Sequence, residues 1–134
     1  MVDVERSQQP AALRVLLVED EMMVALFVES ILIELGHEVI GPVGWLNKAV
    51  AMAERENLDL AVIDLNINGG KSYPIAAVLA ARGIPFIFAT GYARASLAAP
   101  FEDRPALQKP YCLEDLRAAI EAARNSPSAA SVMA

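Results

Sequence analysis

The sequence predicts a single α/β domain: a doubly wound five-stranded parallel sheet with helices on both faces. Two observations predict it. Apolar, β-branched runs of strand length alternate five times with stretches of helical periodicity. Polar landmarks stand where apolar runs stop: Glu19-Asp20-Glu21 after LRVLLV, Asp64 at the end of LAVIDL, Thr90 after FIFA, and Lys109-Pro110 after a weaker run. In an open parallel sheet the strand carboxyl ends share one edge, and ligands bind in the crevice there. Residues far apart in sequence should therefore converge on one site.

The elements follow in order. Residues 1–12 read as a flexible polar arm, residues 13–125 as the domain and residues 126–134 as a flexible tail of small residues. Residues 14–18 form the first strand. A helix over 21–35 carries Val24, Phe27, Val28, Ile31, Leu32 and Leu35 as a buried stripe and ends at Gly36. Residues 38–43 form the second strand, and residues 45–56 a helix capped by Asn47 and anchored by Trp45. The third strand spans 60–65, followed by an Asn- and Gly-rich loop over 66–72. Pro74 sits in the first turn of a helix over 73–82. The fourth strand spans 84–89, and a fourth helix, short or mobile, is expected over 94–99. A brief fifth strand over 106–108 and a helix over 113–124 complete the pattern.

Composition excludes several function classes. A formal net charge of −6 argues against general affinity for nucleic acid, which needs clustered Lys and Arg. The polar N-terminus is not a signal peptide, and Glu29 and Ser30 interrupt the longest apolar segment, so no membrane span is expected. One cysteine, Cys112, cannot staple a fold, which suits the reducing cytoplasm, and it reads as a packed thiol. The lone histidine, His37, reads as a solvated loop residue. One His and one Cys make no zinc site. Gly70-Lys71-Ser72 mimics the end of a P-loop, but Leu65 stands where its first Gly is required.

The converging acids carry the chemistry. Asp64 reads either as a structural cap or as a nucleophile and metal ligand, and its company favours the second. Glu19 and Asp20 could cap the following helix, but capping accounts for one acid rather than three in a row. Carboxylates crowded into one crevice repel each other unless a cation intervenes, and oxygen ligands of this kind suit Mg²⁺. Thr90 is either a plain strand-end hydroxyl or a donor to a phosphoryl oxygen. Lys109 is either a solvated charge or a fixed counter-charge, and Pro110 offers a bond able to turn cis that would aim it.

These motifs in this order resemble the receiver domains of bacterial two-component response regulators, over roughly residues 13–124. The resemblance implies the flavodoxin-like form of the doubly wound sheet. It implies Asp64 as phosphoacceptor, and Asp20, Asp64 and the backbone carbonyl of Asn66 as Mg²⁺ ligands, with Glu19 acting through a water. It further implies that Thr90 and Lys109 contact the phosphoryl group. FATGY at 88–92 and DLNINGGKSYPIA resemble the subgroup of receivers named for the former, commonly single-domain proteins. The partners implied are a sensor histidine kinase, of the HWE or a related class, or a histidine phosphotransfer protein.

Two features depart from or extend that pattern. The aromatic switch residue usual three positions before the lysine is replaced by Ala106, and Tyr92, two residues past Thr90, is the expected substitute. The first helix adds Met22, Met23, Leu26 and Ile33 to its buried stripe, which fits either a docking surface or a wide core-facing stripe. Two other functions compete. An aspartyl-phosphate phosphatase usually places a second Asp where Asn66 stands, and an unphosphorylated interaction module has no use for the full acid set.

Overall fold

The structure, a computed structural model, describes residues 12–90, 97–98, 100–101, 106–109 and 111–125. Five strands form the parallel sheet: β1 (Arg14–Val18), β2 (Glu38–Val43), β3 (Leu60–Asp64), β6 (Phe86–Thr90) and β7 (Ala106–Gln108), in spatial order β2-β1-β3-β6-β7. The chain steps outward from β1 to β2 and returns to pair β3 on the other side of β1. That reversal places the switch point of the sheet between β1 and β3, the strands that end at Val18 and Asp64.

Side chains alternate across the sheet. Val15, Leu17, Val62, Ile87 and Ala89 share one core with α1 (Met22–Glu34) and α4 (Leu113–Asn125). Leu16, Val18, Ala61, Ile63, Phe86 and Phe88 share the other with α2 (Leu46–Arg55) and α3 (Tyr73–Ala81). With both faces covered, β3 and β6 are buried along their whole length, which is why their sequences are apolar runs rather than alternating ones. Among the described residues no helix is long and apolar enough to cross a membrane.

Several local expectations are corrected. The segment after β3 is a small antiparallel hairpin, β4 (Asn66–Ile67) with β5 (Gly70–Lys71), turned by Gly69 at a positive φ. Asn47 does not cap α2: it lies inside the helix and accepts a hydrogen bond from the Lys48 amide. The hairpin does that work instead, its Asn68 carbonyl accepting from the Leu46 amide at 2.9 Å. Trp45 is no anchor, being 57% exposed. The β6 strand begins at Phe86 rather than Ile84 because Pro85 has no N–H and the Ile84 amide closes α3 on Leu79.

His37 is buried rather than solvated. Its Nδ1 accepts a hydrogen bond from the Leu13 amide at 3.1 Å, and burial, aided by the positive Arg124, lowers its pKa. Cys112 is exposed rather than packed, and its thiol donates to Asp115. Phe27 leaves the expected buried stripe of α1, being 52% exposed. The helix expected over 94–99 falls largely outside the described residues, and so do the expected arm up to residue 11 and the tail from 126.

Candidate functional site

Three loops leave the carboxyl edge of the sheet and bring the acids together. Asp64 closes β3, and Glu19 and Asp20 follow β1, its neighbour. Carboxylate oxygens of Glu19, Asp20 and Asp64 all lie within 4.8 Å of one another. Glu19 and Asp64 are buried and Asp20 is exposed. The N-cap residue of α1 is Glu21, whose side chain makes no cap hydrogen bond. Glu19 Oε2 accepts from the Glu21 amide at 3.1 Å, and Glu19 Oε1 is held by Lys109 Nζ at 2.9 Å.

Lys109 enters from beyond β7 and is the counter-charge rather than a solvated lysine. Its ammonium also pairs with Asp64 Oδ2 at 3.3 Å. Its amide donates to the carbonyl of Thr90 at 2.8 Å, extending the β6–β7 ladder by one rung. Thr90, fully buried, ends β6 beside Asp64, whose partner in the ladder is Ala89. Glu19, Asp20, Asp64, Thr90 and Lys109 are therefore brought to one edge. Asn66 begins the hairpin two residues past Asp64, its side-chain oxygen accepting from Lys71 Nζ at 3.0 Å. Tyr92 and Pro110 lie outside the described residues.

The electrostatics follow from that packing. Three carboxylates face one ammonium here, so the crevice carries an excess of negative charge. Burial, then the charge of Glu19, raises the Asp64 pKa to about 6, against the opposing pull of Lys109. Burial also works against the Lys109 ammonium, but the hydrogen bond to Glu19 and the charges of Asp64 and Glu19 outweigh it and raise its pKa. An oxygen-rich trio in this state fits a hard divalent cation such as Mg²⁺.

One residue of the site was missed in the sequence. Tyr111 is buried against α1, and burial together with Glu19 and Asp64 raises its pKa. It lines a pocket of about 240 Å³ with Lys109, Met23, Val24, Phe27 and Val28. Its signal was positional: it stands two residues past Lys109. Opposite, Ala106 pairs with Phe88, and the rings of Phe86, Tyr73 and Phe101 pack on Phe88, at 5.6, 5.8 and 5.9 Å between centroids.

A parallel sheet of order β2-β1-β3-β6-β7 with an acidic trio at its switch point and a lysine paired across it defines a receiver-type signalling domain. No family model matches the sequence. The transcriptional regulatory protein PdtaR of Mycobacterium tuberculosis is 32% identical over 114 residues, covering 82% of this chain and 56% of PdtaR. The chain thus spans about half the length of the curated relatives it matches. SdrG from Sphingomonas melonis Fr1 is 41% identical with a TM-score of 0.75, over 84% of this chain and 97% of SdrG. The BeF3-activated conformation of SdrG from Pseudomonas melonis Fr1 gives 41% and 0.72, over 86% and 99%. The response regulator PhyR from Brucella abortus is 29% identical with a TM-score of 0.75, over 97% of this chain and 54% of PhyR. The chain belongs to the response regulator receiver domains.

Proposed function

We propose that this domain accepts a phosphoryl group on Asp64 from a phosphohistidine and signals through the change that follows, or drains phosphoryl groups from a shared donor. The observation that carries the reading is Lys109 paired at once with Glu19 and Asp64, in a crevice that already holds an excess of carboxylate. An Asp64 oxygen attacks phosphorus, the P–N bond to the donor imidazole breaks, and the imidazole leaves with the bonding pair. Water later cleaves the acyl phosphate and restores Asp64. Lys109 is placed to neutralise phosphoryl oxygens, and Thr90 to hydrogen-bond one of them.

Asp20, Asp64 and the Asn66 carbonyl would hold Mg²⁺, with Glu19 behind a water, since both Glu19 oxygens already have partners. Bound there, the ion would screen the carboxylates and the incoming phosphoryl charge. A neighbour at 41% identity with a BeF3-activated conformation supports phosphoryl acceptance. FATGY at 88–92 supports placing the chain in that subgroup as a single-domain receiver spanning residues 13–125, cytoplasmic and served by an HWE-type kinase. Tyr92 in that motif is the proposed switch residue.

The donor's landing place follows from exposure. Met22 and Met23 are 73% and 79% exposed, and Leu26, Phe27 and Ile33 also face outward from α1. This apolar face continues into the pocket that ends at Lys109. A helical phosphodonor lying on it would bring its phosphohistidine to Asp64. The test is intact-protein mass after incubation with acetyl phosphate, with and without Mg²⁺. The expected result is one Mg²⁺-dependent phosphoryl group, lost in Asp64→Ala. Labelling that persists in Asp64→Ala would refute the assignment.

A further inference from the structure

The two halves of the acidic site leave neighbouring strands, β1 and β3, and a second connection holds them beyond the strand ends. Asp20 belongs to the β1–α1 loop and Asn66 to the β4–β5 hairpin. Between them lies the short link from β2 to α2, residues 44 and 45, and each half is fastened to it. The Glu19 amide donates to the Val43 carbonyl at 2.9 Å, just before the link. On the other side the Asn68 amide donates to the Gly44 carbonyl at 3.2 Å, and the Leu46 amide donates to the Asn68 carbonyl at 2.9 Å. Trp45 and Asn68 form an isolated parallel bridge across the same contact.

The contacts are close enough to demand glycine at both ends. A Cβ on Gly44 would stand 2.9 Å from the Asp20 Cα, 3.1 Å from its Cβ and 3.2 Å from the Glu19 carbonyl oxygen. Those are mainly backbone atoms, so relief requires moving the Asp20 loop itself. Gly44 has no positive φ, so the requirement there is space and not backbone freedom. At the far end a Cβ on Gly69 would meet the Leu46 Cβ at 2.9 Å.

We infer that the Gly44–Leu46 link is a strut that sets the distance between Asp20 and the hairpin bearing Asn66, and that Gly44 is a positioning residue for the Mg²⁺ site. This rests on the receiver reading given above. Mg²⁺ demands near-ideal octahedral geometry, so a ligand loop displaced by a few tenths of an ångström binds it less well. Groups that orient metal ligands typically change affinity 10–100-fold when altered. A methyl group at residue 44 therefore acts on the metal through Asp20 while leaving both cores untouched.

The experiment is an Mg²⁺ titration of the ¹⁵N-labelled full chain, followed by amide shifts, with thermal unfolding in EDTA as the check on folding. Gly44→Ala should bind Mg²⁺ about tenfold more weakly, and its labelling rate by acetyl phosphate should return to the parent value at saturating Mg²⁺. Gly36→Ala is the control, because Gly36 has φ +93° and nothing within 4 Å of its would-be Cβ. It should lose stability and keep parental affinity. A folded Gly44→Ala with affinity within about twofold of the parent overturns the strut. If Gly44→Ala does not fold, Gly69→Ala decides, since it crowds Leu46 at the other end of the strut, in addition to the backbone strain of its φ of +102°, without touching Asp20. Its parental affinity would be equally fatal. A parent chain that takes up no Mg²⁺ overturns the receiver reading and the strut with it, whereas parental binding with indifferent variants overturns the strut alone.

Discussion

Helices α1 and α4 cover the same face of the sheet and are finished differently on the outside. Inward, both are ordinary: Val28, Ile31 and Leu32 of α1 and Leu116, Ile120 and Ala123 of α4 meet in one core. Outward, α4 carries Glu114, Asp115, Arg117, Glu121 and Arg124, the face of a helix that meets water. The outer face of α1 carries Met22, Met23, Leu26, Phe27 and Ile33, with the polar Ser30 and Glu34 exposed only toward its C-terminal end. Folding does not require those side chains, because the buried stripe already satisfies the sheet. Contiguous exposed apolar surface marks an interaction site, and this patch adjoins Lys109 through the Tyr111 pocket.

The contrast can be broken by placing the same charge on each helix. Met23→Glu in α1 should slow phosphotransfer from a protein donor by about tenfold or more, in the range of a truncated interface anchor. Labelling by acetyl phosphate and the melting temperature should not change. Ala118→Glu in α4 should leave all three alone. Equal effects from the two variants would remove the distinction between the helices.

The next effect separates the site from the helices that flank it. Because the folded Asp64 pKa, about 6, lies above the ordinary carboxylate value, the fold favours the protonated acid. Its contribution to stability is fully present below the ordinary value near pH 4 and is lost as pH rises through 6. Unfolding in EDTA across that window should therefore show stability falling by roughly 1 kcal/mol after allowance for solvent screening. Asp64→Asn should flatten the slope.

The opposite face of the sheet supplies a comparison of similar size. Ser72, at the start of α3, is fully buried and its hydroxyl has no hydrogen-bond partner among the described residues. Ser72→Ala removes an unpaired polar atom and should raise stability by up to about 1 kcal/mol in denaturant titrations. The smallest effect returns to α1 and α4. His37, just past α1, is lowered in pKa by burial and then by Arg124 of α4. The neutral ring is favoured, so its contribution is complete above pH 6.5 and is lost as pH falls through its lower folded value. His37→Gln should remove that dependence, flattening the stability profile below pH 6.5 in denaturant titrations.

The strands were legible because burial on both faces writes itself as uninterrupted apolar sequence, as in LAVID and FIFAT. The acids and Lys109 were legible because a parallel sheet gathers strand ends by construction. What escaped depended on partners distant in sequence. Asn47 looked like a cap, but the Asn68 carbonyl had already taken the Leu46 amide. His37 looked like a loop residue because nothing local announces that Leu13 will donate to it. Phe27 fitted the helical stripe of α1 and still faces outward, since periodicity states an angle and not how far the neighbouring helix reaches. The hairpin was different: Asn68-Gly69 is a turn signal that could have been read.

The direction of β1 has a practical corollary. β1 runs toward the acids, so Leu13 lies at the edge of the sheet away from them, and α4 returns to that same edge, where Arg124 acts on His37. Both routes out of the described domain, before residue 12 and after residue 125, therefore depart from the side opposite Asp64. A chain tethered to a sensor chip or a bead through either route should present its reactive crevice to the solution, so that capture chemistry and phosphotransfer need not compete for the same ground.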